Sequence, residues 1–98
     1  MTNEIRKAIR NGINNSELNG YKWTITKEGL DWSYGEQFTF EYKQIDDEEG
    51  FLIVKGRRSE MTMASILIGD AFYDDCRTIE EAYTLATKQT IWNANHTY

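Results

Sequence analysis

Two stretches of alternating apolar and polar residues flank a short acidic segment. QFTFEYKQI occupies residues 37 to 45, FLIVKGRR occupies 51 to 58, and DDEEG lies between them. Phe38, Phe40 and Tyr42 fall on one face of the first stretch, as the two-residue period of a half-buried strand requires. Two such patterns joined by a polar, glycine-terminated break read as a β-hairpin with its acids at the turn. Any fold for this chain must therefore give that antiparallel pair one covered face.

Helices at the two ends are the natural cover. Ile5, Ala8, Ile9 and Ile13 form one apolar stripe over residues 3 to 14, with Arg6, Lys7 and Arg10 on the other faces. Thr2 or Asn3 can cap its start, Glu4 suits the positive end of the helix dipole, and Gly12 with NNSELNG marks its exit. Thr78-Ile79-Glu80-Glu81 is a capping box, and Ile79, Ala82, Tyr83, Ala86 and Thr90 then share a face. This second helix is expected to run to about Asn93, leaving NANHTY as a fraying tail.

YKWTITK at 21 to 27 alternates as a strand, with Tyr21, Trp23 and Ile25 on one side. GLDWSYGEQ fits a short strand or an aromatic loop, and MTMASILI at 61 to 68 fits a strand or a short helix. The expectation is a single α+β domain over residues 1 to 98. It has an N-terminal helix, an antiparallel meander of three to four strands, and a C-terminal helix packed on one face of the sheet. Thirteen aromatic residues supply a core for a chain of this size.

Composition excludes several classes of function. No apolar run approaches the roughly 20 residues of a membrane span, and the N-terminus lacks the apolar region of a secretory signal. Cys76 is the only cysteine, so no intrachain disulfide forms, and a cytoplasmic location is expected. A net charge of −5 opposes general affinity for nucleic acid or anionic membrane. The element order is also that of double-stranded-RNA-binding domains. Their final helix opens on a basic cluster, however, and here Thr78-Ile79-Glu80-Glu81 takes its place, which rejects RNA binding.

The charged side chains are segregated. From Glu28 to Glu49 there are eight acids against one base, Lys43. A second acidic group is Asp70, Asp74 and Asp75, followed by Glu80 and Glu81, while bases collect at Arg6, Lys7 and Arg10 and in KGRR at 55 to 58. Adjacent carboxylates diverge, and Asp46 to Glu49 lack the alternating ligands of a calcium loop, so no metal site is expected. No cofactor motif is present either. KGRR reads as a solvated strand end or turn.

A thiol nucleophile would need a base, and Cys76 with His96 is the only pair the chain offers. A position just before a helix start favours a somewhat lowered thiol pKa. No third, orienting group is visible, and the expectation is a protein that is not an enzyme.

In kind, this short acidic chain resembles the compact inhibitors that phages make against host systems, the anti-CRISPR and anti-restriction proteins. It is similar, too, to bacterial immunity proteins that block toxic nucleases. The likeness is of general type and assigns no residues. It implies a stoichiometric inhibitor whose carboxylates occupy a basic nucleic-acid groove of a partner protein. The residues expected at such a contact are Asp46, Asp47, Glu48, Glu49, Asp74 and Asp75, with Trp32 and Tyr73 as partly exposed aromatic neighbours. The alternatives are an assembly protein, such as a homodimer that buries aromatic strands like QFTFEY between protomers, and a small cysteine-dependent enzyme.

Overall fold

A computed structural model describes residues 1–16 and 22–97. Helix α1 (Asn3–Asn14) precedes five strands, β1 (Trp23–Ile25), β2 (Gly29–Trp32), β3 (Glu36–Gln44), β4 (Gly50–Gly56) and β5 (Thr62–Ile68), and helix α2 (Ile79–Thr97) closes the chain. The strands lie in sequence order in one antiparallel sheet. The α+β class and the helix–sheet–helix order match the sequence reading, but the sheet has five strands rather than three to four.

The extra strand is GLDW, whose alternatives are settled by partners on both sides. Leu30 pairs with Ile25 of β1 and with Phe38 of β3. Residues 61 to 68 likewise resolve as strand, because β5 pairs along the length of β4. A one-residue irregularity in that ladder leaves Met63 unmatched between Val54↔Ala64 and Lys55↔Thr62. Met63 is buried, so the bulge adds an extra side chain to the core. Tyr21, expected in β1, and most of the NNSELNG exit lie outside the described residues.

One face of the sheet carries the core. Leu30, Phe38, Leu52, Val54, Ala64, Ile66 and Ile68 pack beneath the helices with Ile9, Ile13, Ala82, Ala86, Ile91 and Ala94. Each fully buried large side chain contributes about 1.5–3 kcal/mol. Phe40 extends the layer by stacking on Tyr83 of α2, with ring centroids 5.4 Å apart. Trp23 and Trp32 stack at 5.4 Å. Trp32 is only 6% exposed, which corrects the expectation of a surface tryptophan there. Its pairing with Trp23 turns it onto the core face.

The polar C-terminal segment does not fray as expected, since α2 continues to Thr97. Ala94 is fully buried, and the Asn93 side-chain amide donates to the Met63 carbonyl at 2.7 Å. That bond also blocks the free edge of β5, as does Gln89, whose side-chain carbonyl accepts from the Ser65 N–H. Further along the edge, Leu67 exchanges bonds with Asp75: its N–H donates to the Asp75 carboxylate at 2.8 Å, and its carbonyl accepts from the Asp75 N–H at 2.9 Å. Covering an edge in this way prevents pairing with another chain.

Gly12 proves to be a contact residue rather than a helix exit. It is buried inside α1, where a Cβ would lie 2.7 Å from Thr87 Cβ and 2.8 Å from the Thr84 carbonyl oxygen of α2. The same close approach lets the Thr84 hydroxyl donate to the Ala8 carbonyl at 2.9 Å. Gly12→Ala should therefore destabilise the fold by about 1–2 kcal/mol, because overpacking outweighs the gain in helix propensity. Urea denaturation measures this, and a variant as stable as the parent would show that the helices separate without cost.

Candidate functional site

The geometry of the sheet separates charge. β3 and β4 pair from Phe38↔Gly56 to Gln44↔Gly50, so the acidic turn and the basic turn lie at opposite ends of a ladder roughly 20 Å long. At the basic end, Glu36 is buried and accepts hydrogen bonds from the N–H groups of Gln37, Arg58 and Ser59 at 2.9–3.1 Å. Burial opposes its charge, yet these donors outweigh burial and hold its pKa below the ordinary 4.5. Glu36 thus organises the KGRR turn and takes no part in the acidic surface.

At the other end, the acidic segments converge. Asp46 builds the tip: its Oδ1 accepts from the N–H groups of Glu48 and Glu49, both at 2.8 Å. The segment after β5 folds back beside it. Cys76 forms a parallel bridge with Ile68, and Ile68 pairs with Gly50 at the tip end of β4. Within this segment Ala71 to Asp74 form a tight turn, closed by Asp74 N–H to Ala71 carbonyl at 3.0 Å and by Ala71 N–H to Asp74 Oδ2 at 2.9 Å.

The two segments meet at Glu49. Tyr73 donates its hydroxyl to Glu49 Oε1 at 3.2 Å. Any side chain at Gly69 would collide with the Asp74 carboxylate and crowd Glu49, so glycine leaves the space in which the two acids approach. A hydrogen-bonding contact with Asp74 pushes the Glu49 pKa up, helped by burial and by the charges of Asp74 and Asp46, against the Tyr73 hydroxyl. The Tyr73 pKa is in turn raised by its bond to Glu49 and by the surrounding acids.

Not all the expected acids play the same part. Asp46, Asp74 and Asp75 each accept backbone N–H bonds, so Asp46 and Asp75 shape the surface as well as charge it, while Asp74 has one oxygen buried. The side chains of Asp47 and Glu48 are exposed and accept none of these bonds. Tyr73 is 57% exposed beside the acids, as expected, whereas the buried Trp32 is not available there. Phe72 is interleaved with the acids in sequence but is not among the aromatics expected at the surface, and it is 100% exposed.

The cysteine lies under this surface. Cys76 is buried, and its pKa is raised by burial and by Glu81, Asp75 and Asp74, the reverse of the lowered value expected from its place before α2. His96 stacks on Trp92 with centroids 3.9 Å apart and points Nδ1 at the Trp92 carbonyl. Both features oppose a thiolate–imidazole pair. Among the described residues, no group of three or more His, Cys, Asp or Glu side chains is arranged to hold a metal ion, and no helix is long and apolar enough to cross a membrane.

A raised carboxyl pKa has a definite sign in stability. The folded protein binds a proton at Glu49 more tightly than the unfolded chain does. That contribution is fully present below the ordinary value of 4.5 and is lost as pH rises through the raised value. Glu49→Gln should flatten the fall of stability over this window and leave the protein at least as stable as the parent at neutral pH. Carboxyl titration by NMR checks the premise, and a Glu49 that titrates at or below 4.5 would refute it. No protein-family model matches this chain, and neither a curated protein nor a solved structure is significantly similar to it.

Proposed function

We propose that this chain is a non-enzymatic inhibitor that binds another protein through its acidic end and blocks a basic nucleic-acid-binding surface, as on a CRISPR effector or nuclease. One observation carries the reading: acids from two segments far apart in sequence meet at Glu49 and Asp74 instead of dispersing over the surface. Like charges repel, so gathering them at one end produces a field directed outward, suited to steering onto a cationic groove. On this reading the phage-inhibitor likeness is one of mechanism, with carboxylates in the place of phosphates.

The self-assembly alternative draws no support from QFTFEY. Phe38 and Phe40 of QFTFEY face the helices, and β3 offers Gln37, Thr39, Glu41 and Lys43 to the uncovered side of the sheet.

Charge reversal at Asp47 and Glu48 spares every bond that shapes the tip. In the double variant Asp47→Lys/Glu48→Lys, association with the partner should slow at least about tenfold at low salt, while the urea midpoint stays near that of the parent. A tagged pull-down from nuclease-treated bacterial lysate, washed at low and then high salt, supplies the partner. Equal retention of parent and variant, or retention indifferent to salt, would overturn the proposal.

A further inference from the structure

Resting on that reading, we propose that Phe72 is the anchor of the contact, and that the surface it enters is a groove for single-stranded nucleic acid on the partner protein. Phe72 is 100% exposed, and its ring touches Tyr73 edge-on at a centroid distance of 5.8 Å. A wholly exposed phenylalanine adds nothing to the core. The backbone that carries it is nonetheless braced. It occupies the turn that Ala71 and Asp74 close with two hydrogen bonds, and the Tyr73 hydroxyl ties that turn to Glu49 on the β3–β4 tip. A turn already ordered loses little backbone freedom on binding, which favours an aromatic anchor there.

The mixture of groups identifies the partner class. Grooves that hold duplexes meet the backbone mainly with cations. Grooves that hold single strands alternate cations for phosphates with flat apolar or aromatic slots for unstacked bases. Here the exposed ring stands against Tyr73, whose hydroxyl bonds Glu49, and the exposed acids Asp70 and Asp75 flank the turn in the chain. The ring stands in for a base and the carboxylates for phosphates, an arrangement that only the second kind of groove rewards.

The test uses two purified probes, a guide-loaded CRISPR effector and a duplex-cutting restriction endonuclease, with binding followed by biolayer interferometry. Phe72→Ala should fold as the parent does by circular dichroism and dissociate about 30-fold faster with an unchanged association rate. Phe72→Trp should keep binding, since a larger ring still fills a base slot. An oligothymidylate strand should displace the parent protein where a blunt duplex of equal length does not. Parent-like dissociation of Phe72→Ala, or displacement by the duplex alone, overturns the inference. If Asp47→Lys/Glu48→Lys is still impaired in that case, the acidic-inhibitor reading stands without it. Failure of the parent to bind either probe overturns both.

Discussion

The pairing of β3 with β4 is the constraint on which the rest of the molecule depends. Seven matched pairs, from Phe38↔Gly56 to Gln44↔Gly50, place Phe38, Phe40, Leu52 and Val54 on one face, and α2 must cover that face. The same ladder sends the acidic turn to one end of the sheet and the KGRR turn to the other. A slip of one residue would reverse the faces and expose the apolar set. Register thus determines the core and the charge separation together, and neither can change without the other.

Placing α2 over β4 and β5 has a second consequence. Gln89 and Asn93 reach past the core to bond Ser65 and Met63 on the outer edge, and Asp75 bonds Leu67 further along. Asp75 is pinned there by the backbone of β5, and its neighbour Asp74 is thereby held beside Glu49. The bonds that protect the edge from other chains also hold the acidic loop against the acidic tip. This explains how groups that repel remain adjacent: backbone N–H donors fix Asp46, Asp74 and Asp75 in place, and their bonds offset the repulsion locally.

What could be read from the sequence follows from how local each signal is. The DDEEG hairpin, α1 and the Thr78 cap depend on residues a few positions apart, and all three are present. The Thr78 hydroxyl accepts from the Glu81 N–H at 3.2 Å. The Glu81 carboxylate meets the Thr78 hydroxyl at 3.1 Å, where a full capping box would have it accept from the cap residue's backbone. Glu36 could not be read, because its donors at Arg58 and Ser59 come from the far side of a hairpin. The segment around Trp32 fits strand and loop alike in sequence, because its stacking partner Trp23 lies on another strand. The helical tail was hidden by its polar composition, since the bond from Asn93 to Met63 spans thirty residues. For the site, the acids were legible as two groups, but their meeting depends on the return of residues 69 to 76 along β5.

That distinction bears on which charges belong to the fold and which to its surroundings. The tip requires Asp46, whose carboxylate organises the turn, and it tolerates Glu49 through the Tyr73 hydroxyl and the space beside Gly69. Asp47 and Glu48 add repulsion and accept none of the bonds that shape the turn, so folding gains nothing from their charge. Phe72 is their apolar counterpart, fully in water and braced by a turn that excludes it from the core. Three side chains that folding does not use thus belong to the acidic tip and to the loop tied to it. On the proposed reading, they act against an external surface that supplies cations and a slot for the ring.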